Sequence, residues 1–205
     1  MSSKVAVIFY SSTGTNHALA EAVAEGARKG GAEEVRVLRV AENAPREAVE
    51  GNEAWQAWLD GPAQQVPEAT TADLEWADGI AFGTPTRFGN VSSQLKAFLD
   101  SSGPLWAEGK LVDKVTTGFT SAVNTHGGNE STLLALYNTM YHFGAVVVAP
   151  GYSDPAVFAG GGNPYGTAHA TGQDGAPPSE EVLAAARHQG RRLAEVTARL
   201  NAGGQ

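Results

Sequence analysis

Apolar residues run unbroken from Val5 to Tyr10, a strand-length stretch that predicts a strand buried on both faces. A Ser/Thr/Gly turn follows. Leu19, Val23 and Ala27 then recur at helical spacing, which predicts a helix over 16–29 closed by Gly30-Gly31. Val35 to Val40 alternates apolar and basic residues, the pattern of a strand near a sheet edge. Gly79 to Gly83 predicts a short third strand that runs into the loop Thr84 to Asn90. Val91, Leu95, Phe98 and Leu99 form the next helical stripe. Lys114 to Thr120 predicts a fourth strand, Ser131 to Phe143 a helix, and Ala145 to Ala149 a fifth strand. The last helix opens at Pro178-Ser179-Glu180-Glu181, with a capping Ser and acids in its first turn. Its stripe Leu183, Ala186, Gly190, Leu193, Thr197 and Leu200 is expected to face the sheet.

Five strands alternating with helices through right-handed crossovers predict an α/β fold, a doubly wound parallel sheet of order 2-1-3-4-5. The 205 residues suit one domain, 1–205, and no repeat or linker divides them. Two long excursions stand out. The first, about 41–77, carries Trp55, Trp58 and Leu59 on an expected short amphipathic helix, and the second, about 150–178, is rich in Gly and Pro. Each is open to a functional reading, a subunit contact or simple surface decoration.

Composition narrows the function classes. The net charge is −8 and the 14 basic residues are scattered, which argues against nucleic-acid binding. There is no cysteine, so disulfides, thiolate metal sites and Cys nucleophiles are excluded, and no metal site is expected. No signal peptide is visible, and no apolar run approaches a membrane span. A soluble, cytoplasmic protein without membrane insertion is the expectation.

The first strand feeds Ser11-Ser12-Thr13-Gly14-Thr15-Asn16 into a helix. Hydroxyls, a flexible Gly and free amides around one helix N-terminus suit a phosphate dianion. The same residue types also make a well-capped helix start, so that reading stands beside it. The loop has no Lys, which excludes a Walker A site, and there is no G-x-G-x-x-G. In such a sheet the ligand lies at the carboxyl ends of the strands, beside the switch point. Thr84 to Asn90, with Pro, Gly and an aromatic suited to lie against a flat ring, and the polar, small and Gly-rich Thr120 to Gly128 frame that crevice. A flat hydrogen-bonding ring that ends in a phosphate fits all three loops, and flavin mononucleotide (FMN) has that shape.

The stretch Gly83-Thr84-Pro85-Thr86-Arg87-Phe88-Gly89-Asn90, with Phe98-Leu99-Asp100 and Leu105-Trp106, resembles the WrbA family of FMN-dependent NAD(P)H:quinone oxidoreductases. The similarity continues through Gly144, Pro164-Tyr165-Gly166 and the last helix, nearly the whole chain. It implies a flavodoxin-like fold, a homotetramer, FMN, and reduction of a quinone at the expense of NADH or NADPH. Carried over by position, Ser11, Ser12, Thr13, Gly14, Thr15 and Asn16 hold the phosphate. Pro85, Thr86, Arg87, Phe88 and Gly89 hold the isoalloxazine, and Ser121, Ala122, Val123, Asn124, Thr125 and Gly127 complete the ring site. His142 closes it and is the catalytic candidate, to hydrogen-bond the quinone or supply a proton. Trp106 lines the substrate pocket, from a neighbouring subunit, and Thr13 faces the nicotinamide.

Two features depart from that assignment, and other readings compete with it. Thr13 stands where relatives often carry an aromatic, and the loop 121–128 is one residue longer, with Val123 and His126 in place of Gly and Thr. Taken alone, His142 reads as a cap or core residue, Trp106 as packing and Arg87 as a surface charge. The rival functions are a flavodoxin-type one-electron carrier and a non-enzymatic FMN-binding or scaffolding protein. Carriers gather carboxylates near the ring, whereas the two ring loops contain Arg87 and no acid before Glu130. A cation about 6 Å from a reduced ring, at an effective dielectric of roughly 20, favours it by about 3 kcal/mol, or about 60 mV in a two-electron couple.

Overall fold

The computed structural model describes residues 3–203. Strand β1 (Lys4–Phe9) lies inside a parallel sheet, between β2 (Glu34–Arg39) and β3 (Gly79–Arg87). Beyond β3 comes β5 (Val115–Ala122), whose far edge takes β6 (Val146–Val147). The short β4 (Asn90–Val91) folds back on β3 as a hairpin, so the five predicted strands stand in the order 2-1-3-4-5.

β1 is buried on both faces, and its alternation divides the core. Val5, Val7 and Phe9 pack with α1 (Thr15–Lys29) and α9 (Glu180–Gly203). Ala6 and Ile8 pack on the other face with α4 (Thr71–Trp76), α5 (Ser93–Asp100) and α7 (Asn129–His142). Helices α1 and α9 meet backbone to backbone. A Cβ added at Gly190 would lie 1.9 Å from the Val23 carbonyl oxygen, and one at Gly26 would lie 1.9 Å from that of Arg187. Any larger residue there forces the helices apart.

The structure corrects the sequence expectations in three places. First, Thr84 to Arg87 are not loop. They continue β3, and Phe88-Gly89 is a two-residue turn into β4, with φ of 52° and 74°. Paired positive φ values mark a type I′ hairpin, whose twist suits the strands it joins. Val91 therefore belongs to β4. Helix α5 starts at Ser93 behind Ser92, whose backbone N–H donates to Thr84 Oγ1 at 3.0 Å.

Second, the fifth strand is split. β6 pairs only with Val115 and Thr116, while β7 (Ala168–Ala170) pairs with Thr120, Ser121 and Ala122. Side chains bridge the gap. Gln189 Nε2 donates to Thr117 Oγ1 (2.7 Å) and the Gly118 carbonyl (2.6 Å), and its Oε1 accepts from the Thr167 amide (2.7 Å). The Gly118 amide donates to Tyr137 Oη at 3.2 Å, and that hydroxyl donates to the Tyr165 carbonyl. Burial pushes the Tyr137 phenol up to about 12, so the donor stays protonated. The excursion between the half-strands carries α8 (Pro155–Ala159).

Third, Leu200 is 40% exposed instead of facing the sheet, because α9 outruns the strands. In the first excursion, α2 (Arg46–Glu50), α3 (Glu53–Asp60) and a 3-10 turn (Pro62–Gln65) precede α4, and α3 is the expected Trp-bearing helix. Among the described residues no helix is long and apolar enough to cross a membrane.

Candidate active site

β3 and β5 outrun β1 at their carboxyl ends. Phe9 is level with Gly83, yet Thr84 still pairs with Thr120 and Pro85 with Ser121. The overhang makes a step beside the point where the sheet order reverses, the general ligand position in such sheets. A cleft of about 500 Å³ occupies it, within the range of small-molecule sites.

The floor at one end is the start of α1. Gly14 precedes the helix at φ 89° and brings no side chain to cap it, and no acid stands in its first turn. Helix amides without a cap offer donors and a positive field to an anion. Trp58 of α3 lies beneath the loop, 3.2 Å from where a Cβ on Gly14 would sit, and its ring meets His17, which stacks on Phe9. Ser11 Oγ accepts from the Asn16 amide at 3.2 Å. Asn16 is 1% exposed, and its Oδ1 has no hydrogen-bond partner. A buried acceptor without a donor is uncommon. First-turn amides that Gly14 leaves without a side-chain cap, beside a lone acceptor, fit the phosphate and the hydroxylated chain of FMN.

At the other end, Thr86 Oγ1 accepts from Thr132 Oγ1 at 2.6 Å and donates to the Gly127 carbonyl at 3.4 Å. These bonds tie the hairpin to the loop 121–128. Arg87 donates to the Thr86 carbonyl (3.0 Å) and to Ser12 Oγ (3.4 Å), so it spans from β3 to the first loop. Among the described residues it is the only charged one lining the cleft. Among the described residues no cluster of His, Asp or Glu could hold a metal.

Thirteen of the residues expected from sequence line this cleft: Ser11, Ser12, Thr13, Thr15, Asn16, Pro85, Thr86, Arg87, Ser121, Ala122, Val123, Asn124 and Gly127. Gly14, Phe88, Gly89 and Thr125 shape the loops without lining it. Phe88 is fully exposed at the hairpin tip. Within one chain, His142 and Trp106 do not reach the cleft. His142 is the last residue of α7, whose first residue, Asn129, lies at the cleft end, and 14 residues span about 20 Å. Trp106, on the short helix α6 (Gly103–Ala107), donates from Nε1 to the His142 carbonyl at 2.8 Å.

Five lining residues escaped the sequence reading: Asn52, Thr171, Gly172, Gln173 and Gly175. Asn52 caps α3, accepting from the Trp55 amide at 3.0 Å. Its cap signal was readable; the fold of α3 onto the first loop was not. The other four follow β7, a strand too short to show a period. Asp174 lies among them, so a carboxylate does stand at the rim, on a loop outside the two considered from sequence.

A family model described as NADPH-dependent FMN reductase matches residues 3–156. The chain is 50% identical over 197 residues to an NAD(P)H dehydrogenase (quinone) of Deinococcus radiodurans, covering 96% of each. It is 44% identical over 202 residues to a protein of the same description from Geotalea uraniireducens, covering 96% of this chain and 98% of that one. Among solved structures, a flavodoxin, WrbA-like protein from Agrobacterium tumefaciens superposes with a TM-score of 0.67 at 30% identity, over 97% of this chain and 99% of that one. The flavodoxin-like sheet, the hydroxyl-rich turn before α1 and these relatives agree, and the chain belongs to the NADPH-dependent FMN reductase family, on its WrbA-like branch.

Proposed function

We propose that this protein is an FMN-dependent NAD(P)H:quinone oxidoreductase that reduces quinones to hydroquinones by two electrons. The observation that carries the reading is the cleft itself, with unspent helix amides and the lone Asn16 acceptor at one end and a slot between Pro85–Arg87 and Ser121–Gly127 at the other. Ser11 to Asn16 would hold the phosphate. Thr86, Arg87 and the 121–127 loop would hold the ring, with Thr13 facing the nicotinamide. The chemistry FMN supplies there is acceptance of a hydride from NADH or NADPH and its delivery to a quinone. Arg87 places a positive charge where negative charge develops on reduction.

A single cleft serves both substrates in this reading, so they take turns and the kinetics are ping-pong. Phe88, Trp106 and His142 lie on the outer surface of the chain. They join a cleft only in a homotetramer, where Trp106 lines the substrate pocket and His142 hydrogen-bonds the quinone or supplies a proton. One domain spans the chain, and the protein acts in the cytoplasm.

Reconstitution tests this. The purified protein should turn yellow with added FMN and oxidise NADH only when benzoquinone is present, with parallel double-reciprocal lines. A protein that gains no flavin absorbance sinks the cofactor assignment, and intersecting lines sink the shared cleft.

A further inference from the structure

The wall of the cleft made by Thr171, Gly172, Gln173 and Gly175 belongs to neither long strand. It hangs from β7, the detached half of the edge strand. Two amides attach it to β5's end, Thr171 to the Ala122 carbonyl and Gly172 to that of Val123, each at 2.9 Å. The segment then curls back, and the Ala176 amide donates to the Thr171 carbonyl at 2.7 Å.

One side chain completes that ring. His169, 8% exposed, sits in β7 level with Ser121, and its Nε2 lies 2.8 Å from the Ala176 carbonyl oxygen. A carbonyl oxygen only accepts, so Nε2 carries the proton. The bond joins a rigid strand position to the far end of the wall. Without it, the return of the segment rests on one backbone hydrogen bond in an exposed loop.

We infer that His169 is a positioning residue for the flavin: its Nε2–H bond to the Ala176 carbonyl latches the segment 171–176 shut against the cleft. The inference rests on the FMN reading above and deepens it, because it adds a fourth wall and the group that sets it. His169 touches no cleft atom itself. It acts through the placement of Thr171 to Gly175.

The test uses the full chain with His169→Leu, which fills the site without a donor, and His169→Gln, which restores an N–H at similar reach. In the Leu variant the FMN dissociation constant should rise about tenfold, the usual scale of one lost hydrogen bond that leaves a part-buried partner unpaired. At saturating FMN, kcat with NADH and benzoquinone should stay within about twofold. Amide exchange at Gly172 and Ala176 should quicken while that of α1 and α9 is unchanged, a split that general destabilisation would not give. The Gln variant should recover most of the affinity. FMN affinity in the Leu variant equal to wild type, or a Gln variant as weak as Leu, overturns the latch. Failure of the wild-type protein to bind FMN would instead sink the reading beneath it.

Discussion

Tyr10 Oη donates to Glu42 Oε2 at 2.8 Å, and this bond joins the end of β1 to the first excursion immediately before the turn Ser11 to Asn16. Glu42 also accepts from Trp55 Nε1 (2.9 Å), Gln94 Nε2 (2.7 Å) and the amides of Asn43 and Ala44. Burial acts to raise its pKa, but the donors outweigh burial and hold the carboxyl below its usual range. The same burial and the neighbouring carboxylate raise the Tyr10 phenol, so it remains a donor.

Glu42→Ala should cost about 2–3 kcal/mol, because several donors lose their acceptor at once. It should also weaken FMN binding, since α3 carries Trp58 beneath Gly14 and Asn52 on the cleft. A depressed folded pKa means the contribution of Glu42 is present above the unfolded value, near 4.3, and disappears as pH falls through the folded one. Melting temperatures from about pH 6 down to pH 3 check the sign: Glu42→Gln should lose less stability on acidification than wild type.

Gln189→Leu removes three bonds across the break in the sheet and leaves the Gly118 carbonyl and Thr167 amide unpaired. The expected loss is about 3 kcal/mol, or roughly 6–12 °C in melting temperature for a domain of this size. Calorimetry on the variant measures it; a shift under about 2 °C would mean that water substitutes for the side chain.

NADH should be preferred to NADPH. Among the described residues Arg87 is the only charged one lining the cleft, while Glu50, Glu53 and Asp174 flank the lining residues Asn52 and Gln173. Arg46 is already paired with Glu50 at 2.5 Å. A 2′-phosphate brought to this rim meets net negative charge, and a discrimination of about tenfold in kcat/KM is reasonable at low salt. The ratio should narrow at about 1 M salt, where the screening length is about 3 Å. Equal kcat/KM values at low salt would refute it.

Phe88 combines full exposure with a φ that costs a side-chain-bearing residue about 1–2 kcal/mol. Phe88→Gly relieves that strain and should raise the melting temperature by a few degrees, after the larger chain entropy of Gly is offset. Quinone reduction should nonetheless fall about tenfold if the ring serves a neighbouring cleft. Retained activity in a more stable variant would show that the tip serves no cleft.

The sheet order was legible because Val5 to Tyr10 is an unbroken apolar run of strand length, and because strand-length segments alternate with helical stripes such as Leu19, Val23 and Ala27. The turn before α1 was legible because helix starts have their own chemistry. The hairpin at Phe88 was hidden by Pro85, which reads as a loop residue although it sits where β3 runs beyond the end of β1. The split edge was hidden because its bonds come from Gln189 and Tyr137, side chains more than 60 and nearly 20 residues away along the chain. Asn52 and the 171–175 wall depend on long-range docking, which no local pattern encodes.

The split of the edge strand also bears on how such a protein can diverge. The excursion leaves beside Thr116 and returns beside Thr120, positions on one strand about 13 Å apart. Doubling the length of a loop with such close ends costs only about 0.6 kcal/mol. New surface can therefore be grafted between Val148 and Thr167 while β5 and its side-chain bridges keep the sheet intact, which leaves outer recognition and inner chemistry free to evolve at different speeds.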